Sequence, residues 1–485
     1  MPSYEGPLIN NTKRNFTTRD SLGIEGIATS ISADLCPVVN TVTPRPYYWA
    51  FITWCYYSFY KTHHYIKQKE VYEYIRKHNF FIALGNCLEN GFSDGNFIGS
   101  NEISSIAYRN SKVFEYKENY IKGLSTMGYY PPGLDTMKLI ISQNDDTGER
   151  YNEPRITPEG EKLAKAFDKI IGQTAYAKKY LNKTRVPKEV LIELGKKIKI
   201  NLKGFKECRE ILKNNLFEKQ RTERLAQCKD YILFVKQKYD IELDSRSVCR
   251  EIFYDFFSPR AKRNKIDDDI SSTAKGWEIV IGRQYFTMGL EVIWKYMLNQ
   301  LYILMPKEEW FKTCIKRQKF SFKLSEDLSQ LIKDCNLKSQ DMEKLLNVER
   351  SQETDNSLEN GLVIMLSVFN RFNNRTDFDD NIKFYLSDLM GNDSVSLESF
   401  AKFVNQYKDK PIKEFLIFIM NDLLISQHLK TAFNKMLENR DGYYLEEIDG
   451  KYLSCHDFDL DFQGIRMVQL YSVMKDLGVF LHEDQ

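Results

Sequence analysis

The chain has 485 residues, of which 42% are hydrophobic and 28% charged, the balance of a packed protein rather than a disordered one. A formal net charge of +2 leaves no global field to draw it onto nucleic acid or anionic lipid, so any such attraction must come from local patches. The nine cysteines (36, 55, 87, 208, 228, 249, 314, 335 and 455) include no CxxC pair, which argues against a disulfide framework or closely spaced zinc ligands and fits a reducing, cytoplasmic setting.

The patterning is mainly α and predicts a multi-domain helical bundle, with a small winged-helix-like α/β module and a short C-terminal β hairpin. Residues 1–90 read as an N-terminal aromatic-rich helical domain. Its first seven residues lack the basic region and apolar core of a signal peptide. An amphipathic helix is expected near 22–35. From Tyr47 to Tyr60 there follow nine aromatic rings in fourteen positions. Each such ring buries roughly 150–250 Å², so the run is a packing centre, a partner surface or a membrane element. As a helix it reaches only about 21 Å, and a span needs about 20 apolar residues. Lys61-Thr62-His63-His64 stops it, which excludes the membrane. Nine rings exceed what one exposed face holds, so most belong to the core, and tyrosines left outside it mark a partner surface. A helix near 68–88 comes next, punctuated by Gly91-Phe92-Ser93-Asp94-Gly95.

Residues 91–172 read as the winged-helix-like module. Helices are expected at 101–109 and 112–127, then the breaker Tyr129-Tyr130-Pro131-Pro132-Gly133 and a strand over 137–141. Thr157 as N-cap with Pro158 at the first helical position starts a helix whose face is Leu163, Ala164, Phe167 and Ile170. Residues 173–350 read as a basic helical bundle, with segments at 186–200, 203–217, 219–239 and 271–305, and 351–357 as a loop. Residues 358–485 form a C-terminal helical domain. It contains a buried helix at Phe415–Met420, a hairpin over 443–452 around an Asp-Gly turn, and a last helix near 463–478.

Most catalytic signatures are absent: there is no GxxxxGK[ST], GxGxxG, GxSxG or HExxH, so P-loop nucleotide hydrolysis is excluded and no cofactor is expected. His63-His64 reads as a helix end, because adjacent helical residues point about 100° apart. Cys455-His456-Asp457 with Asp459 and Asp461 places carboxylates on one side of a strand, a divalent-cation site or a charged edge that discourages aggregation. Asp94 with Glu115-Tyr116-Lys117 loosely fits the Asp and Glu-x-Lys skeleton of metal-dependent nucleases. Two basic stretches suit phosphate contact. From Ala177 to Arg224 there are fifteen Lys/Arg against six Asp/Glu, with Lys196, Lys197 and Lys199 as candidates. Arg260, Lys262, Arg263 and Lys265 cluster just before Asp267-Asp268-Asp269. The competing reading of both is the solvated face of a bundle.

The order Asp20-Ser21-Leu22-Gly23-Ile24, Ile27, Ile31, Leu35 and Pro37, on to Thr43-Pro44-Arg45-Pro46-Tyr47-Tyr48, Phe51 and Trp54, resembles a bacterial family of unknown function. That family opens with an Asp-x-Leu-Gly helix, a Leu-x-Pro turn and a Thr-x-Arg-x-x-Tyr lead into an aromatic helix. Its members resemble components of multi-gene anti-phage defence operons. Ile156 to Phe167 is similar to a second segment of such proteins. Val38-Val39-Asn40 stands where the family has a glycine-containing turn, and Pro46 replaces a second basic residue, so Arg45 acts alone. Pro44 and Pro46 hold Arg45 in extended backbone, where it can recognise an anion or brace the domain by pairing with Asp20 or Asp34. The resemblance brings no catalytic residues. It implies a defence role beside an operon-encoded ATPase, helicase or nuclease. Joined to the missing nucleotide motifs, the basic stretches and the short aromatic run, it gives the expectation of a non-catalytic scaffold or sensor subunit with DNA as a further ligand and no membrane. On this reading Arg45, Tyr47, Tyr48, Trp49 and Trp54 are structural or partner-facing. The alternatives are a metal-dependent nuclease effector and a stand-alone DNA-binding regulator.

Overall fold

The computed structural model describes residues 20–62, 68–109, 111–118, 128–143, 150–256, 268–352, 354–373, 375–387, 395–438, 442–460 and 464–480. Among these the protein is mainly α, with strands confined to three small antiparallel sheets. The chain divides into two compact units, each assembled from separated segments: residues 1–32 with 250–464, and 33–249 with 465–485.

The second of these, the aromatic unit, is organised by the helix Tyr47–Thr62. Tyr47, Tyr48, Trp49, Phe51, Trp54, Tyr56 and Phe59 are all buried, so the run is a packing centre as its density requires. Tyr57 and Tyr60 remain half-buried. Phe51 and Trp54 lie 6.4 and 5.7 Å from the Phe167 ring, and the Trp54 indole N–H donates to Asp168 at 2.9 Å. Phe167 belongs to the helix Pro158–Ile171, whose N-cap is Thr157: its hydroxyl accepts the Gly160 N–H at 3.0 Å.

Helices Gln68–Asn90 and Lys188–Lys197 of the same unit cross backbone to backbone. A Cβ on Gly85 would stand 2.3 Å from the Leu191 carbonyl oxygen, and one on Gly195 would stand 2.2 Å from that of Gly85. Beside the crossing, buried Asn86 donates to the Ile198 carbonyl at 2.8 Å and fixes the register. The expected helix over 112–127 is corrected: Val113–Glu115 is a strand, antiparallel to Arg185–Pro187, and 119–127 lie outside the described residues. Its exposed–buried–exposed alternation has the strand period of two, with Phe114 opposite Val186 as the buried pair. The strand expected over 137–141 begins later, at Ile140–Gln143, and pairs antiparallel with Arg150–Ile156.

The other, long-helix unit is built on Asp268–Asn299, packed against Ser357–Asn373. Here too glycine meets glycine: a Cβ on Gly361 would lie 2.5 Å from the Gly289 carbonyl oxygen. Phe415–Met420 is helical and largely buried, running from Ile412–Phe418 into a π-helix at Ile419–Ser426. The hairpin Leu445–Ile448 and Lys451–Ser454 turns at Asp449-Gly450, both at positive φ, and Met305–Pro306 adds a third strand. The Asp-x-Leu-Gly segment has a mechanical reading in this unit. Asp20 accepts the Ile24 N–H at 2.9 Å, Leu22 is buried, and Gly23 sits at φ +65 where a Cβ would meet the Thr431 hydroxyl at 2.5 Å.

In the aromatic unit the Leu35-x-Pro37 turn closes through Val39 N–H to Pro37 carbonyl at 2.8 Å, with Val38 at φ +71. A β-branched residue with positive φ at the centre of a three-residue turn is strained. Arg466 holds the turn, donating to the Cys36 and Val39 carbonyls at 3.1 and 2.9 Å. Left-handed backbone costs an L-residue roughly 1–2 kcal/mol, while glycine gives back roughly 0.5–1 kcal/mol through its freer unfolded chain. Val38→Gly is therefore expected to melt no lower than wild type and above Val38→Ala in thermal unfolding. Trp54→Ala, which deletes a buried ring and its N–H donor, is expected to cost about 3–5 kcal/mol by denaturant titration.

Candidate functional site

Arg45 of the aromatic unit sits between two prolines at the foot of the aromatic helix. Its guanidinium Nη1 donates to both carboxylate oxygens of Asp476 at 3.0 Å, so the brace is made with Asp476 and not with Asp20 or Asp34. Asp20 accepts the Ile24 and Glu25 N–H groups where the helix Glu25–Leu35 begins, and Asp34 pairs with Arg224. A cleft of about 370 Å³ opens beside the pair, lined by Arg45, Asp244, Tyr471, Ser472, Lys475 and Asp476. Burial raises the Asp476 carboxyl, against the lowering pull of Arg45. Adjoining Glu242 accepts from the Tyr471 hydroxyl, Lys236 and Lys475, which hold its carboxyl down to about 2. Most charge around the cleft is thus compensated within it, and the arrangement fits a clamp between chain segments.

Of the nuclease skeleton, Asp94 is engaged elsewhere. Asp94 is bound to Lys199 at 3.0 Å, and Lys199 also holds Glu89 at 2.8 Å. That triad ties the nuclease candidate to a DNA candidate, and the Lys199 hydrogen bond lowers the Asp94 carboxyl. Glu115 stands on the exposed face of its strand with Lys117 just beyond. Among the described residues no three His, Cys, Asp or Glu side chains are grouped to hold a metal ion. Cys455, His456, Asp457 and Asp459 follow the strand Lys451–Ser454 in irregular backbone, while Asp461, His63 and His64 lie outside the described residues. So do Arg260, Lys262, Arg263 and Lys265. Lys196 is exposed, and Lys197 approaches Glu193 at 4.0 Å. All nine cysteines are free thiols, and burial raises those of Cys36 and Cys55. Among the described residues no helix is long and apolar enough to cross a membrane.

A second concavity lies within the long-helix unit and was not legible in the sequence, where Phe415–Met420 reads only as core. It is a groove of about 420 Å³ lined by Phe311, Tyr407, Ile417 and Phe418, with Lys307, Glu308, Glu414, Asn421 and Asp422 around them. Tyr407 and Phe418 stack at 5.0 Å and 27°, and Phe403 abuts Phe418 at 4.9 Å. Ile417 is 37% exposed. Lys307 Nζ donates to the Asn421 side chain at 3.0 Å, tying the start of the helix Lys307–Lys316 to the π-helix. The wider π turn carries Asn421 and Asp422, and such turns recur at functional sites. The sequence signal that could have found it is the Asn421-Asp422 pair interrupting an apolar run.

Compared with family models, curated proteins and solved structures, the chain matches none.

The helix after the π turn, Gln427–Leu437, is anchored by neutral His428. Its Nε2 accepts the Tyr444 N–H at 3.1 Å, which leaves Nδ1–H to donate to the Ser21 carbonyl at 3.0 Å. Burial pulls its pKa down to about 4, and Lys435 on the same helix adds to this. Between about pH 6.5 and about 4 the unfolded chain holds a proton that folded His428 does not, so stability rises with pH across that window. It is complete above 6.5 and lost toward 4. Burial depresses His78 of the aromatic unit in the same direction. Melting temperature is expected to fall on acidification through this window, and His428→Gln should flatten part of the slope.

Proposed function

We propose that the protein is a non-catalytic scaffold or sensor subunit of a cytoplasmic bacterial anti-phage complex, binding an ATPase, helicase or nuclease encoded beside it and offering a basic face to DNA. The aromatic groove of the long-helix unit carries this reading. Partner interfaces concentrate aromatic residues at a desolvated centre with a polar rim, and affinity gathers in a few anchors that fill such pockets. Tyr407, Phe418, Phe311 and Ile417 supply the centre. At the rim three carboxylates, Glu308, Glu414 and Asp422, stand against one ammonium, Lys307, so the matching anchor is an apolar side chain flanked by basic residues. The anti-phage setting is supported by the resemblance of residues 20–54 and 156–167 to components of defence operons.

Co-expression with the neighbouring genes, followed by affinity purification and gel filtration, tests this. A stoichiometric partner is expected to co-elute. Ile417→Asp, at a partly exposed position, should release that partner without lowering the melting temperature. A monomer that recovers no neighbour-encoded protein would end the subunit reading, and undiminished co-elution of Ile417→Asp would remove the groove from it.

A further inference from the structure

We propose that the turn from Tyr176 to Lys188 in the aromatic unit is a docking face for the phosphate backbone of duplex DNA, with Lys178, Lys179, Lys183 and Arg185 as its contacts. It rests on the reading above only in taking DNA as a ligand, and the purified chain tests it without any partner.

These thirteen positions hold five basic residues and no acidic one. The turn is pinned at both ends. Tyr176 is fully buried with its hydroxyl 2.6 Å from His78 Nδ1, and the Thr174 hydroxyl accepts the Ala177 N–H at 3.1 Å. At the far end Val186 is buried opposite Phe114, and the Thr184 carbonyl accepts the Tyr116 N–H at 2.8 Å. Between the pins, Lys178 and Lys179 lie on the π-helix Tyr176–Tyr180, with Lys183 and Arg185 after it. All four are exposed. None of them makes an ion pair among the described residues, although Lys197, Lys199, Lys213 and Arg224 further along do. Just past the paired strand Val113–Glu115 stands exposed Lys117, and Glu115 and Glu118 offset part of the charge. Glu115 is the register partner of Arg185 and still forms no ion pair with it. Like charges held this close repel one another, and a polyanion relieves that repulsion. Because the turn is anchored, little conformational entropy is lost when it docks.

Duplex DNA fits better than its competitors. Single-strand sites combine cations with exposed stacking rings, whereas here Tyr176 is buried and Tyr180 half-buried. Membrane-surface segments need an outward apolar face, and the turn's Leu181 is half-buried while Val186 is fully buried.

Fluorescence anisotropy with a labelled duplex of about 20 bp, titrated between about 50 and about 200 mM KCl, tests the proposal. Four contacts predict a log K against log salt slope near −3.6, about 0.9 per contact. The variant K178A/K179A/K183A/R185A is expected to bind at least about tenfold more weakly, with the slope flattened. Lys183→Gln with Arg185→Gln should remove about half the slope with an unchanged melting temperature. Lys206→Ala, exposed elsewhere, should change neither. The proposal is overturned by absent binding at low salt, by full affinity in the quadruple variant, or by preference for single-stranded DNA or phosphatidylserine vesicles.

Discussion

Each unit depends on one contact in which two helix backbones touch where neither carries a side chain. In the aromatic unit Gly85 and Gly195 lie so close that a single Cβ would overlap a carbonyl oxygen, and the same holds at Gly289 and Gly361 in the long-helix unit. Backbones this near allow flanking side chains to interdigitate at short range, where dispersion is strongest. The crossings therefore set the spacing of everything packed around them. In the long-helix unit the effect extends to Gly282, over which the Phe372 ring lies. At Gly85, Gly195 and Gly361 a methyl group would meet a backbone carbonyl within 2.5 Å, which no rotamer change can absorb.

Close packing of this kind tolerates buried charge only where partners are in place. The long-helix unit meets that condition at Glu278, which is fully buried and receives Arg371 at 2.6 Å and Arg375 at 2.8 Å. Arg250 binds Glu343, whose carboxylate also accepts the Tyr285 hydroxyl at 2.9 Å. Arg283 is the exception. It is fully buried and donates from Nη1 to the Val395 carbonyl at 2.6 Å, yet its Nε and Nη2 find no partner among the described residues. Burial without a counter-charge pushes its guanidinium down to about 9. An apolar residue of similar volume would be easier to bury at this position.

Local signals in the sequence were read faithfully by the fold. The aromatic helix, the Thr157-Pro158 cap, the Asp-Gly hairpin and the Phe415 helix each follow from residues within a few positions of one another. What the sequence left open depends on distant partners. Arg45 is visibly constrained by its prolines, but Asp476 lies 431 residues away and has no spacing rule to announce it. The strand Val113–Glu115 is too short for periodicity to separate it from a helix, and only its pairing with Arg185–Pro187 decides the matter. The π turn leaves only the Asn421-Asp422 pair as a trace, because one extra residue in a helical turn leaves the apolar pattern nearly unchanged. The same logic covers the two units: each joins segments that composition alone has no means of associating.

Charge shows most clearly why pairing carries more meaning than counting. The basic excess from Ala177 to Arg224 looks uniform along the chain, yet its members have different fates. Lys199 is consumed by Glu89 and Asp94, Lys213 by Glu210 three residues back, and Arg224 by Asp34. Those cations hold structure together and have little field left to offer a ligand. Lys213 is met by an acid one helical turn away, whereas Lys199 and Arg224 are met by acids distant in the chain. The segment from Tyr176 to Lys188 has no acid of its own, and its buried anchors turn its cations outward. A long-range attraction survives only where local compensation fails, so the informative quantity is the residue of charge left after every near neighbour has been paired.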